Sequence, residues 1–322
     1  MTALLSRIFP VRPSQLRQHH VLGLKARNIH FLLEWNPRSF YPVLDDKVLT
    51  KGVCESHGVP VPETLLIIER AGDLRRMLGQ IGEHPEFVIK PARGAGGRGV
   101  VVVVRHDDSN FETPNGQVLS LAELRYHILT VLCGCFSLGD HADRAIVEQR
   151  VVPHPVFEKL SVAGTPDIRV IVYRSVPMMA MLRLPTHASR GRGNLHQGAV
   201  GVGIQLETGR TFGGVYRERA VTVHPETGAP MENIELPHWP AIVEMATDLS
   251  QSLGAAYIGV DIVLDAKRGP LVLEANARPG LAIQTANRCG LLYPLQQVEE
   301  RKGTQLVPSY KGRLTAPVPN SP

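Results

Sequence analysis

Between Val88-Ile89-Lys90-Pro91 and a run of five valines, Val100 to Val104, the chain reads Gly94-Ala95-Gly96-Gly97-Arg98-Gly99. The string has the spacing G-x-G-x-x-G. A dinucleotide fingerprint must open a helix, however, and five consecutive β-branched residues open a strand. Strand, glycine loop and strand make a hairpin whose backbone amides can close over phosphate oxygens, as the glycine-rich loop of kinases does. Arg98 puts positive charge at its tip, and Lys90, ending the first strand, is placed to reach the same oxygens. The plain alternative is a mobile hairpin with no ligand. Four glycines in six residues, flanked by Lys90, Arg93 and Arg98, weigh against it.

The chain has 322 residues, more than one hydrophobic core usually serves, so one large domain or two to three subdomains are expected. With 43% apolar and 20% charged residues it belongs with ordinary globules rather than disordered chains. No apolar run approaches the roughly 18 residues a membrane span needs. Met1 to Pro10 lacks a signal-peptide cleavage pattern. Cys54, Cys133, Cys135 and Cys289 are too few for a disulfide framework, which makes the cytoplasm the expected compartment. The net charge of +5 comes from arginines scattered beside loop glycines. That spread suits small phosphates and carboxylates, not a nucleic acid, whose binders concentrate charge in a stripe.

The periodicity predicts a helix near Gln15 to Leu33, broken at Asn36-Pro37, and a second over Asp46 to His57 with Val48, Leu49 and Val53 as its apolar face. Asp45 or Asp46 caps that second helix, and Gly58, Pro60 and Pro62 stop it. A helix near Leu121 to Leu132 and a strand at Ala145 to Val152 follow the valine run. Asp167 to Tyr173 alternates in polarity, and Pro177 marks a turn before Met178 to Leu184. Pro240 to Leu253 carries Ile242, Met245, Ala246, Leu249 and Leu253 on one helical stripe, closed by Gly254. Strands at Tyr257 to Leu264 and Leu271 to Ala275 come next, and 301–322 reads as a flexible tail.

A four-residue loop at Ala266 to Gly269 would set Asp261 opposite Glu274, with Asn276 two residues on and on the same face. Two carboxylates about 4 Å apart repel by roughly 4 kcal/mol at an effective dielectric near 20. The pairing therefore calls for a cation, and hard oxygen ligands completed by phosphate and water point to Mg²⁺, with Mn²⁺ as its substitute. A solvated sheet face is the alternative, and the flanking Val260, Ile262 and Leu273 oppose it.

Asp167 and Arg169 share a strand face, while the register across the following turn leaves the face of Arg183 open. The loop Arg190-Gly-Arg192-Gly-Asn194-Leu-His196-Gln-Gly198 sets cations and an amide in pliant backbone. Together they offer donors for charge developing on an acyl or phosphoryl group. Cys133-Gly-Cys135 with His141 and Asp143 lacks the usual zinc spacing, and no cysteine is assigned a catalytic role.

In order along the chain stand Asp46-Lys47, Val88-Ile89-Lys90-Pro91 with the glycine loop, Glu148-Gln149, Asp167-Ile168-Arg169, Arg192-Gly-Asn194-Leu-His196, Gly259-Val260-Asp261 and Glu274-Ala275-Asn276. This succession resembles the ATP-grasp superfamily and, within it, the RimK-type α-L-glutamate ligases, over roughly Asp45 to Leu292. The resemblance implies an α+β ATP-grasp fold, two α+β subdomains clasping ATP beneath the glycine hairpin. It implies a domain from 46 to 300, divided into a lid subdomain at about 60–150 and a metal-binding subdomain at about 151–300, after a 1–45 segment. Lys47, Lys90, Gly96, Gly97 and Arg98 would then contact phosphates, with Glu148 and Gln149 at the adenine hinge and Asp167 on the nucleotide side. Asp261, Glu274 and Asn276 would hold Mg²⁺, and Arg169, Arg192 and Asn194 would meet the phosphate and the reacting carboxylate.

The implied activity is carboxylate–amine ligation through an acyl phosphate, with glutamate or a similar amino acid as one substrate. Small-molecule or peptide acids and amines are the expected partners. The glutamate ligases carry a full domain before Asp-Lys, where 45 residues precede Asp46 here. A protein partner or a second copy of the chain is the expected source of that surface. The stretch from Glu148 to Asp167 is longer, with His154, Glu158 and Lys159, and Arg278 stands where the glutamate ligases have a small residue. There it is expected to add a carboxylate- or phosphate-binding cation near the metal. Two other readings share the nucleotide site: a regulatory module without turnover, and a phosphotransferase.

Overall fold

The computed structural model describes residues 13–301, apart from 108, 138, 140 and 163. The glycine string does join two strands. β1 (Thr64–Ile68), β2 (Phe87–Pro91) and β3 (Val101–Val103) lead into a small meander of β4 (Arg105–His106), β5 (Asn110–Glu112) and β6 (Val118–Ser120). β7 (Ala145–Gln149) returns to complete a four-stranded antiparallel sheet in the order β1-β7-β2-β3. Phe87, Ile89, Val103 and Val147 pack with Met77 and Ile81 of the Leu74–Ile81 helix and with Leu124, Ile128 and Val131 of the Leu121–Leu132 helix. Each such fully buried side chain stabilises by about 1.5–3 kcal/mol. Ser120 and Glu123 cap the second helix reciprocally, which fixes where it starts.

The second sheet is seven-stranded and antiparallel. It comprises β8 (Asp167–Tyr173), β9 (Val176–Leu184), β10 (Val200–Ile204), β11 (Thr211–Tyr216), β12 (Arg219–Val221), β13 (Tyr257–Asp265) and β14 (Gly269–Asn276), in the order β12-β11-β10-β9-β8-β13-β14. The Trp239–Leu253 helix covers one face, and its predicted stripe of Ile242, Met245, Ala246, Leu249 and Leu253 is buried there. On the other face Ile171, Tyr173 and Tyr257 pack against Leu22, Phe31 and Leu32 and against Ile283 and Leu295. The architecture is the α+β ATP-grasp fold expected from the motif order.

Several local expectations are corrected. The helix expected over Gln15 to Leu33 is broken: Pro13–Gln18 is one short helix, and Leu24–Ala26 runs into a π-helix at Arg27–Leu33. Asn36 ties this segment to the start of β13, accepting from the Tyr257 amide at 3.0 Å and donating to its carbonyl at 2.6 Å. In the Lys47–Ser56 helix the buried side is Thr50, Lys51 and Cys54, while Leu49 is 43% exposed. That helix turns its polar positions toward the cleft, where Lys51 finds a carboxylate. All seven residues of β8 are buried, because the face that alternation marks as polar carries paired charges instead of facing water.

The turn after β8 is Arg174-Ser175, both at positive φ, the backbone of a two-residue hairpin. Pro177 lies within β9, at a shift of register that tolerates its missing amide hydrogen. Finally, the β13–β14 loop is three residues long, since Asp265 pairs with Gly269. Among the described residues no helix is long and apolar enough to cross a membrane. Met1 to Pro10 and the tail from 302 onward lie outside the described residues.

Candidate active site

A cavity of about 1380 Å³ lies between the two sheets, roofed by Gly96, Gly97 and Arg98 and floored by β13 and β14. Asp46 caps the Lys47–Ser56 helix by accepting from the amides of Val48 (3.0 Å) and Leu49 (3.4 Å). Its other oxygen takes Arg93 at 3.1 Å and Arg144 at 2.7 Å. So anchored, Lys47 begins the helix at the cleft wall. Its Nζ donates to the Gly94 carbonyl at 2.5 Å and stands 3.5 Å from Glu274 Oε2. One side chain thus joins the root of the glycine flap to the floor.

Lys51, one helical turn on, donates to Glu148 Oε2 at 2.9 Å, and Lys90 reaches Glu148 Oε1 at 2.5 Å. Burial alone would raise the Glu148 pKa, but the two ammonium groups outweigh it and hold the carboxyl below its ordinary value. Burial pushes the Lys51 ammonium down despite the attraction of Glu148. Glu148 sits on the expected hinge strand and lines the cleft, yet its carboxylate is committed to the lysines. Gln149 Oε1 accepts from Arg268. Lys51 lies outside the site residues expected from the sequence. Its signal was the i,i+4 spacing from Lys47, which sets both on one helix face.

On the floor, Asp261 pairs across the ladder with Arg169 on one side and Glu274 on the other. Arg169 donates to both Asp261 oxygens, at 2.7 and 2.6 Å. Arg183, opposite Asp167 in β9, donates to Asp167 Oδ1 at 2.5 Å and to Asp261 Oδ2 at 2.7 Å. The face of Arg183, open from sequence, is therefore the face of Asp167 and Asp261. The cation that the facing carboxylates call for is supplied at Asp261 by these two guanidiniums. Burial would raise the Asp261 pKa, but Arg169 and Arg183 keep it far below the usual carboxylate range. Asp167 behaves oppositely: burial lifts it to about 7 against the pull of Arg183, which is shared with Asp261.

Asn276 Nδ2 lies 3.0 Å from Asp261 Oδ2 and 3.2 Å from Glu274 Oε1, so the three expected metal-binding side chains converge. The amide hydrogens stand between the two carboxylates, and turning the amide over would offer its oxygen to a cation instead. The donor set is all oxygen and hard, and it fits Mg²⁺ or Mn²⁺. Among the described residues no cluster of three or more His, Cys, Asp or Glu side chains is arranged for a metal, and Cys133 and Cys135 are exposed free thiols.

The loop after β9 meets the flap. Gly97 has φ +71°, and a Cβ there would lie 3.1 Å from Arg192 Cγ. Gly193 lets the loop approach Asp167, whose Oδ2 would be 2.5 Å from an added Cβ. Asn194 accepts from the His196 amide at 3.0 Å, and its Nδ2 faces Gly96. Every expected site residue thus borders the one cleft. Arg169 and Asp167 are already engaged by buried partners, whereas Arg98, Arg192 and Asn194 are presented at its mouth. Arg278 borders the cleft as well, but it stacks on the Tyr41 ring at 4.4 Å.

Residues 26–300 match the family model described as sugar-transfer associated ATP-grasp. A protein of Parasynechococcus marenigrum (strain WH8102) described as a probable alpha-L-glutamate ligase is 26% identical over 262 residues, covering 80% of this chain. The match covers 41% of that relative, so the chain spans about two-fifths of its length. Among solved structures, the D-cycloserine synthetase DcsG is 16% identical with a TM-score of 0.47, covering 82% of this chain and 72% of that one. The D-alanine–D-alanine ligase of Bacillus anthracis is 14% identical with a TM-score of 0.46, covering 81% and 68%.

Proposed function

The chain belongs to the sugar-transfer-associated ATP-grasp family, and from that membership and the architecture of its cleft we propose an ATP- and Mg²⁺-dependent carboxylate–amine ligase. The observation that carries this reading is the convergence of Asp261, Glu274 and Asn276 on the floor, with Lys47 bridging from Glu274 to the root of the flap. A carboxylate brought against the γ-phosphate sets like charges together, and neutralising them is most of the catalysis that phosphoryl transfer requires.

Lys47 at the flap root supplies one positive charge, and Arg98 and Arg192 at the mouth supply more. Glu148 holds Lys90 and Lys51 in fixed positions along the lid side. Asp261, Glu274 and Asn276 are the residues that would hold a divalent ion, whose charge, when it is bound, offsets that of the phosphates. The substrate carboxylate oxygen forms a bond to the γ-phosphorus as ADP leaves with the bridging oxygen. The amine then forms the C–N bond as phosphate departs with the C–O electron pair. Of the two protons the ammonium loses, one goes to phosphate and one to solvent. Glutamate or a similar amino acid is the expected substrate class.

Screening ADP release against pairs of acids and amines tests the reading, with hydroxylamine as a trap. An acid that yields a hydroxamate in the presence of ATP establishes acyl-phosphate chemistry. ADP release without hydroxamate indicates phosphoryl transfer to another acceptor. A second reading, nucleotide binding without turnover, draws on the engagement of both Asp261 oxygens by Arg169 and Arg183. It predicts binding of a non-hydrolysable ATP analogue with no acid-dependent ADP release.

A further inference from the structure

A second cavity, of about 600 Å³, opens beside the first, and Arg278 lines both. Its other walls come from the π-helix and the stretch after it, including Leu32, Leu33, Arg38, Tyr41 and Asp45. The volume is that of a small-molecule site.

The backbone beneath it is firmly held. Arg27, buried, donates to the Pro279 carbonyl at 2.6 Å and grips Asn28 Oδ1 from Nε and Nη2 at 3.0 and 2.8 Å. Arg278 is thereby fixed at its base and stacked on Tyr41. Its Nη1 stands 4.0 Å from Asp45 Oδ2, too far for a hydrogen bond, and its side chain is 51% exposed. The donors of Arg278 are therefore presented rather than used up. Arg38 is exposed and has no ion-pair partner among the described residues. The cavity offers an anion at Asp45, cations at Arg278 and Arg38, and an apolar wall at Leu32 and Leu33. Lys47, two residues after Asp45, lines the first cavity, so the Asp45–Arg278 pair stands at the threshold between the two.

We propose that this second cavity receives the amine substrate as a zwitterionic α-amino acid. The ammonium lies toward Asp45 at the threshold, the carboxylate toward Arg38, and the side chain along Leu32 and Leu33. The assignment rests on the ligase reading for its chemistry. It places the nucleophilic nitrogen at the edge of the nucleotide cleft and makes the segment Arg27 to Asp45 the part of the chain that selects the amine.

The test is calorimetric titration of the full chain, with Mg²⁺ and a non-hydrolysable ATP analogue present, using the proteinogenic α-amino acids and D-alanine and D-glutamate. At least one should bind. Its carboxamide, which lacks the anion, should bind about tenfold or more weakly, the loss expected for a charge-assisted hydrogen bond. Arg38→Ala, at an exposed position, should weaken the acid by the same factor and make acid and carboxamide bind alike, with affinity for the ATP analogue within twofold of the parent.

No binding by any member of the panel overturns the proposal, as does an acid-to-carboxamide ratio that Arg38→Ala leaves unchanged. The hydroxylamine trap needs only acid and ATP, and this keeps the two readings separable. Hydroxamate formation with Arg38-independent amino-acid binding sinks the second cavity alone. Arg38-dependent binding without hydroxamate upholds the cavity and sinks the ligase.

Discussion

Leu273 and Glu274 are consecutive in β14, yet both face the cleft, while Val272 before them and Ala275 after them enter the core. The cause is a shift of register between the pairs Ile262–Val272 and Asp261–Glu274, which inserts Leu273 as an extra residue. The bulge breaks the alternation of the strand and lays an apolar side chain beside a carboxylate on one floor. Glu274, with its side chain 29% exposed, is set apart from the core, whereas Asp261 is buried between two guanidiniums.

The two carboxylates should therefore fail differently. Glu274→Ala is expected to keep the parent's unfolding midpoint while abolishing acid-dependent ADP release and weakening nucleotide affinity. Asp261→Ala leaves Arg169 buried without its anion and Arg183 with Asp167 alone, and should cost about 3–5 kcal/mol of stability. Urea denaturation of both variants, alongside ADP release, separates a carboxylate needed only in the substrate complex from one that is also a structural counter-ion. Equal destabilisation by the two would contradict the distinction.

Glu148→Ala should be among the most destabilising changes in the four-stranded sheet. It strips the shared partner from Lys51 and Lys90, both buried, at a cost of about 3–5 kcal/mol. A Glu148→Ala, Lys51→Met double variant should recover part of that loss, because one stranded ammonium is gone. Denaturation midpoints of the single and double variants check the coupling.

Much of this site was legible in the sequence, because its parts are close in sequence or sit on strongly patterned strands. The flap could be read as strand-to-strand from the β-branching of Val100 to Val104 alone. The Asp261–Glu274 pairing expected from a four-residue loop is present, although the loop has three residues. The bulge at Leu273 restores the register that a three-residue loop shifts, so the two offsets cancel. What could not be read were contacts that depend on tertiary placement. Arg183 faces Asp167 only because the turn is Arg174-Ser175 and a further bulge falls near Pro177. The fate of Glu148 depends on a helix 97 positions earlier in the chain. Of the apolar face expected at Val48, Leu49 and Val53, Val53 packs on the core and Leu49 does not, because the buried side of that helix is shared between the core contact of Cys54 and the ion pair of Lys51.

At the flap, Gly97→Ala should act on binding more than on folding. The position has φ +71°, and the added methyl would press on Arg192 Cγ at 3.1 Å. The left-handed backbone costs a side chain about 1–2 kcal/mol. That cost falls on the closed arrangement, in which the tip meets the loop after β9. Affinity for a non-hydrolysable ATP analogue should drop roughly tenfold with little change in thermal midpoint. A large fall in the midpoint instead would mean that the flap is part of the stable core.

Asp265 fastens the turn of the β13–β14 hairpin to the segment that follows β7. It accepts from the amides of Val152, Lys267 and Arg268, each at 3.0 Å, and from Arg268 Nη2 at 2.8 Å. Arg268 reaches on to the Arg150 carbonyl at 3.0 Å and to Gln149. Burial would raise the Asp265 pKa, but the bonds from Arg268 and the backbone amides hold it well below the ordinary carboxylate value. A folded-state pKa lower than the unfolded one means that the unfolded chain binds more protons as the solution is acidified. The stabilisation is then complete above the unfolded value of about 3.9 and is lost as pH falls from there toward the folded value. Asp265→Asn should be less stable than the parent by about 2 kcal/mol at pH 7 and pH 5, with a smaller deficit at pH 3. Urea denaturation at the three values measures it, and a deficit that held constant down to pH 3 would show that the charge of Asp265 is not what secures the turn.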